Sequence, residues 1–292
     1  MPVLDEIALH SPIVRIGGVG IALRTSSLPF AEMVQDRYPG FMAPDTVPKF
    51  SFDVEVMDQA ENRIYAPSSP MLVPDTQDGG VDDDLKVFCE SGIWRIRRPD
   101  FAAHWDPRTA RGQIRQTVNP YSLDSILRIL HSLILAGRGE FLVHAASAIR
   151  NGRAFLFSGV SGAGKTTISR LAPPDATLLT DEISYVRKDE MHGGVASYRA
   201  HGTPFAGELA RLGENCSAPL HTLYMLTQGP ENRIDDIHPV VATQMLLRNI
   251  LFFARDAELV QCVFEAACRF VERVPVRRLT FRPDAEVWDL IG

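Results

Sequence analysis

The spacing of apolar residues changes near Asn119-Pro120. Before that point the apolar runs are short and strand-like. Phe52-Asp-Val-Glu-Val-Met57 alternates strictly, as a half-buried strand does. Ile13–Leu23 is apolar and broken by glycine. Leu85–Cys89 and Ile93–Arg97 flank Glu90-Ser-Gly92, a spacing that predicts a hairpin. Turn-rich segments, Pro67–Pro74 and Asp78–Asp84, lie between these runs. After the change, Leu123, Ile126, Leu127, Leu130, Leu133 and Ile134 share one helical face, with Ser122 as candidate cap and Gly137 past the end near Ala136. Phe141–Ile149 and Ala154–Ser158 are apolar runs on either side of a turn at Asn151-Gly152. Lys165–Leu171 predicts a short helix stopped by Pro173-Pro174. Thr177–Val186 reads as a strand with an acidic interruption, and Leu220–Leu226 as a buried strand. Val241–Phe253 and Ala257–Val271 read as helices, and Val276–Phe281 as a last strand. The pattern predicts a β-rich N-terminal domain over residues 1–115 and a mixed α/β (α+β) domain over 116–292.

Composition narrows the partners. Apolar residues are 45% of 292 positions, enough for a packed core. The formal charge of −6, from 30 Lys+Arg against 36 Asp+Glu, argues against general nucleic-acid binding. It argues equally against anchoring on an anionic membrane surface. Cys89, Cys216, Cys262 and Cys268 show no CxxC or zinc spacing and read as free thiols. The start of the chain has no signal-like apolar region. Ile126–Ala136 is interrupted by Arg128 and His131 and is too short to span a bilayer. A cytoplasmic location is expected.

The chemistry concentrates at Gly159-Val-Ser-Gly-Ala-Gly-Lys-Thr166, which matches G-x-x-x-x-G-K-[ST] at every fixed position. Gly159 and Gly164 permit backbone that a Cβ forbids, and Gly162 lets backbone approach a phosphate closely. Successive N–H groups form an anion nest. Lys165 supplies a cation for the β- and γ-phosphates, and Thr166 a hydroxyl for Mg²⁺. The expected nucleotide-binding set is Gly159, Ser161, Gly162, Ala163, Gly164, Lys165, Thr166 and Thr167. The preceding run Ala154–Phe157 and the following helix supply the strand–loop–helix setting. The bland alternative is a glycine-rich turn with an incidental lysine.

Phosphoryl transfer also needs a carboxylate for Mg²⁺ and a base near the attacking hydroxyl. Asp181 and Glu182 are the candidates. Adjacent carboxylates in an apolar, strand-like segment are costly without a cation, and on a strand they would point to opposite faces. A polar turn after Pro173-Pro174-Asp175 is the alternative.

Several pieces together resemble the catalytic domain of the HPr kinase/phosphorylase family. They are His144-Ala-Ala-Ser147, Ser161-Gly-Ala-Gly-Lys-Thr166, Thr180-Asp-Glu182 and Val274-Pro-Val-Arg-Arg-Leu-Thr-Phe-Arg-Pro-Asp284. The resemblance implies a P-loop kinase domain of the HPr kinase/phosphoenolpyruvate carboxykinase-like type, using ATP and Mg²⁺ to phosphorylate a serine hydroxyl. It implies that Asp181 is the general base, that Glu182 assists Mg²⁺, and that His144 lies near the acidic pair and the phosphates. It implies that Arg248 neutralises the transferring phosphate. Without the resemblance, His144 reads as a hydrogen-bonded core histidine and Arg248 as a surface residue. His201–Gly207 reads first as a loop and then as a substrate contact. The Glu-x-Arg-Gly stretch of the bifunctional enzymes is absent from the sequence, and the N-terminal part does not resemble their regulatory domain. The chain looks more like the stand-alone kinases of lasso-peptide clusters, which phosphorylate a ribosomally made peptide. The expected partner is thus a peptide or protein with a serine hydroxyl, bound with help from the N-terminal part; a homo-oligomer is compatible with the sequence. A kinase of free serine or another metabolite, and a nucleotide-gated binding protein, remain as alternatives.

Overall fold

The computed structural model describes residues 8–58, 84–189, 197–207, 209 and 213–291. The predicted turns at 67–74 and 78–83 lie outside the described residues. The chain divides into two compact units, Met1–Arg128 and Ile129–Gly292. The whole is mixed α/β, with a β-rich N-terminal part.

In the first unit, β1 (Ile13–Ile16), β2 (Val19–Arg24), β3 (Phe50–Val56), β4 (Lys86–Glu90), β5 (Ile93–Arg98), β6 (Phe101–Asp106) and β7 (Arg111–Gln116) form one sheet. Its order is β1-β2-β3-β7-β6-β5-β4. The predicted β4–β5 hairpin is present, with Glu90 opposite Ile93. Its two turn residues, Ser91 and Gly92, both have positive φ, as does the Gly17-Gly18 turn joining β1 and β2. A two-residue turn of this hand matches the twist of the strands it joins. Helix α1 (Leu28–Arg37) is capped by Ser27, whose Oγ accepts the Phe30 N–H at 3.3 Å.

Helix α2 (Pro120–Ala136) begins two residues before the expected cap. Asn119 takes that role, its Oδ1 accepting the Tyr121 N–H at 3.0 Å, with Pro120 at the first helical position. Ser122 Oγ instead donates to Asp100.

The second unit holds β8 (Phe141–Arg150), β9 (Arg153–Ser158), α3 (Lys165–Arg170), β10 (Thr177–Thr180), β11 (Ile183–Asp189), β12 (Ser197–His201) and β13 (Ser217–Gln228). They are followed by β14 (Arg233–Asp236), α4 (Pro239–Leu247), β15 (Ile250–Leu251), α5 (Ala257–Arg273) and β16 (Val276–Phe281). Pairings run from β8 through β11, β12 and β13 to β9 and back to β8, a closed circuit. The central strands are apolar on both faces because both are covered. Ala145, Leu156, Leu223 and Met225 pack in one core with Ala242 and Leu246 of α4 and Ala266 and Phe270 of α5. Ala146, Phe155, Phe157 and Tyr224 pack in another with Ile168 of α3 and Trp288.

Two further expectations are corrected. Thr177–Val186 is two strands, with Asp181 and Glu182 in the bend between them, so the pair does not alternate across a strand. The helix predicted over Val241–Phe253 ends at Leu247, and Ile250–Leu251 leave it to pair with Val143 and Leu142 of β8. The unpaired main chain of β8 at that point overrides the helical periodicity.

Candidate active site

Strand β8 organises the site because its neighbours change on both edges near His144. On one edge β9 pairs with Ala145–Arg150 and β15 with Leu142 and Val143. Both main-chain groups of His144 face the gap between β9 and β15. Its N–H donates to Asn249 O at 2.7 Å, and its carbonyl accepts Ser158 Oγ at 2.8 Å. On the other edge β10 pairs as far as Ser147 and β11 from His144. The bend Asp181-Glu182 falls between those pairings, where Ser184 Oγ donates to Ala145 O at 2.8 Å. One stretch of β8 thus gathers the start of the glycine loop, the acidic bend and the Arg248-Asn249 helix end. His144 is half-buried there and Arg248 is exposed.

The glycine loop leaves β9 at Ser158 and enters α3 at Lys165. Gly159 is buried, and a Cβ on it would lie 2.9 Å from Ala163 Cβ. Gly164 has φ +108°, and a Cβ there would meet the Phe281 ring at 2.6 Å. Gly162 also has positive φ, but in open space. Ala163 N–H donates to Val160 O at 3.0 Å, and Gln228 Nε2 to Gly162 O at 2.6 Å. Val160, Ser161 and Gly162 are exposed at the tip, with Thr166 and Thr167 half-buried behind them. Lys165 Nζ donates back to Gly159 O at 3.1 Å, folding the ammonium over the loop. A phosphate oxygen would displace a neutral carbonyl from that ammonium, because it adds the attraction of a full opposite charge to the hydrogen bond. Helix α3 is a six-residue helix, so its dipole is small and an anion at the loop would be held mostly by loop amides.

The acidic pair is built differently from the sequence expectation. Asp181 is 4% exposed, and its two oxygens accept the N–H groups of Gly207 and Leu209, each at 2.9 Å. Thr180 Oγ1 shapes the bend by accepting the N–H groups of Glu182 and Ile183. Glu182 is less buried. Gly207 lies against both, since a Cβ on it would come within 3.0 Å of Glu182 Cβ and 3.1 Å of Asp181 Oδ2. The loop from His201 is pinned from below, with Thr203 Oγ1 donating to Ile183 O at 2.7 Å and Phe205 fully buried. Asp181 therefore ties this loop to the site. Among the described residues no group of three or more His, Cys, Asp or Glu is placed to hold a metal by itself. Mg²⁺ is typically bound by one or two protein groups plus phosphates and water, and Thr166 and Glu182 carry oxygens of the kind it takes.

Sequence reasoning missed the parts played by Ser158, Gln228, Asn249 and Leu209, and it singled out the segments holding Gly207 and Phe281 without their contacts. Each acts through a contact distant along the chain. A deeper polar pair stands near the site's elements. His131 Nδ1 lies 3.1 Å from the Tyr185 hydroxyl in full burial. Burial pushes His131 down to about 3 and holds Tyr185 well above the ordinary phenol range. His201, at the end of β12, is pushed down to about 4 by burial and the neighbouring Arg187 and Arg199.

Residues 115–292 match the family described as SynChlorMet cassette protein ScmC. No curated protein matches the chain.

Proposed function

The chain belongs to the SynChlorMet cassette protein ScmC family, and we propose that it is an ATP- and Mg²⁺-dependent kinase that phosphorylates a serine hydroxyl of a peptide or protein. The observation that carries the reading is the loop Gly159–Thr166. Gly162 and Gly164 take positive φ, Lys165 folds back over the loop, and β8 lies between the start of the loop and the bend that carries two carboxylates. The resemblance to HPr kinase/phosphorylase, and a domain of that type over 116–292, belong to the same proposal. A family named for a cassette makes a co-encoded precursor peptide, lasso-type included, the first acceptor to test.

In this reading the loop amides and Lys165 bind the triphosphate and hold its charge as it shifts toward the leaving group. Thr166 and Glu182 would hold Mg²⁺, which when bound neutralises the phosphate oxygens. Asp181 accepts the serine proton through a lone pair not used by Gly207 or Leu209. Arg248, exposed beside the His144 main chain, offers a guanidinium to the transferring phosphoryl group. His144 is held through its main chain at the same place.

One observation favours a second reading, a nucleotide-gated binding protein. Asp181 is buried and already satisfied by two amides, which suits a structural tie as well as a base. Labelled ATP separates the readings. Transfer to a serine-containing peptide supports the kinase, transfer to free serine or other metabolites points to a small-molecule kinase, and binding without transfer supports the gate. Lys165→Ala should weaken binding and transfer together. Asp181→Asn should abolish transfer while nucleotide affinity stays within a few-fold; full turnover in that variant rules Asp181 out as base.

A further inference from the structure

The open face of the N-terminal sheet carries polar residues in direct register across successive strands. One row runs Arg24, Asp53, Gln113, His104, Arg95 over β2, β3, β7, β6 and β5. The next row on the same face runs Glu55, Arg115, Ala102, Arg97 over β3, β7, β6 and β5. All of these residues line one cavity of ≈ 500 Å³, with the exposed Leu9 also at its wall. In the second row Ala102 leaves a gap between two arginines. Strand spacing of about 4.8 Å puts the Arg115 and Arg97 backbones about 10 Å apart across it. Two guanidiniums on long stems can both reach a single carboxylate seated over Ala102.

The charges here are held loosely. Arg24 pairs with Asp53 at 2.7 Å, Arg95 with Glu90 at 2.7 Å and Arg115 with Glu55 at 3.3 Å, with exposed or half-exposed partners throughout. Such pairs contribute little and exchange readily for a better-placed anion. Arg97 stacks over Phe88 with its guanidinium carbon 5.8 Å from the ring centre. That contact pre-sets its fork and leaves the N–H edges to an incoming carboxylate.

We propose that this face docks an acidic, extended peptide segment, with one carboxylate seated over Ala102 between Arg97 and Arg115. The choice of a peptide follows from the charge pattern. Asp53 and Glu55 interrupt the basic groups and would repel a continuous phosphate backbone, but they accommodate a chain whose carboxylates are spaced apart. The row from Arg24 to Arg95 spans about 19 Å, the length of about six extended residues. Leu9 offers the apolar contact that a peptide, unlike a polyphosphate, can use. That the docked peptide is the phosphate acceptor rests on the kinase reading; that the face binds an acidic peptide does not.

The test uses the full chain without nucleotide and a fluorescein-labelled peptide of about eight residues alternating Glu with Leu and Ser. Fluorescence anisotropy should show saturable binding that weakens with salt. Arg97→Glu and Ala102→Glu should each weaken it tenfold or more, the second by filling the gap with the protein's own carboxylate. Both sites are at the surface, and unchanged ATP affinity and circular dichroism would show the variants folded. Equal binding of a Lys-for-Glu peptide, tighter binding of a single-stranded RNA of similar length, or unchanged affinity in both variants would overturn the proposal. Docking that behaves as expected without any phosphoryl transfer would instead count against the kinase reading alone.

Discussion

At the residue scale, Gly164 and Gly162 separate strain from crowding. Both have positive φ, but only Gly164 faces an aromatic ring where its Cβ would be. Gly162→Ala should cost about 1 kcal/mol, the strain of a left-handed alanine alone. Gly164→Ala should cost about 1–3 kcal/mol more, because Phe281 must move and with it the end of β16. Urea midpoints and ATP affinities of the two variants measure this, and equal effects would mean Phe281 does not brace the loop. Gln228 permits a similar comparison. Gln228→Leu removes the donor to Gly162 O and should weaken nucleotide binding several-fold while costing about 1 kcal/mol or less in stability. The motif glycines were legible because phosphate cradling restricts residue type at fixed local spacing. Phe281 and Gln228 were not, because each meets the loop from another strand. Asp181 was legible as an acid but not as the tie for Gly207 and Leu209, since a two-amide clasp across the fold has no local signature.

At the element scale, the helices and strands that hold their own hydrophobic face were readable. Strand β16 spans Val276–Phe281 as expected, and the Asn151-Gly152 turn joins β8 to β9 with both residues at positive φ. Elements decided by a neighbour were not readable: the helical pattern past Leu247 yields to pairing with β8, and the acidic bend interrupts a strand-like run. The contact of α2 with β11 through His131 and Tyr185 belongs to this second kind. Tyr185→Phe leaves His131 Nδ1 without its buried partner and should destabilise by about 1–3 kcal/mol. The same elements set an acid limit. His131 and His201 have folded values near 3 and 4, below the ordinary 6.5, so the unfolded chain binds more protons between those limits. Their stability contribution is complete above about pH 6.5 and falls as pH drops. Each adds a slope of up to about 1.4 kcal/mol per pH unit, His201 down to about pH 4 and His131 down to about pH 3. Urea midpoints between pH 7.5 and 4.5 should show this loss, and His201→Gln should make the slope shallower. A slope unchanged by that substitution would assign the acid sensitivity to other groups.

At the scale of the whole molecule, the two proposed ligand-facing surfaces lie in different compact units, the glycine loop in Ile129–Gly292 and the arginine rows in Met1–Arg128. Ligand linkage then makes a prediction that neither surface makes by itself. A ligand stabilises what it binds by RT ln(1 + [L]/Kd), about 2.7 kcal/mol at a hundredfold excess over Kd. Hydrogen exchange on the full chain reads where that stabilisation is delivered. ATP with Mg²⁺ should slow exchange in the loop amides between Gly159 and Thr167 and in the bend at Asp181-Glu182. The acidic peptide should slow exchange in β5, β6 and β7, whose main chains underlie Arg97, Ala102 and Arg115. If the peptide is the acceptor, both ligands together should protect both regions, and the affinity of one should change with the other by the same factor in either order. Independent affinities with both regions protected would make the sheet a separate docking site that raises local acceptor concentration without coupling to the nucleotide. Protection by ATP confined to the N-terminal sheet would remove the glycine loop from the site, and the kinase reading with it.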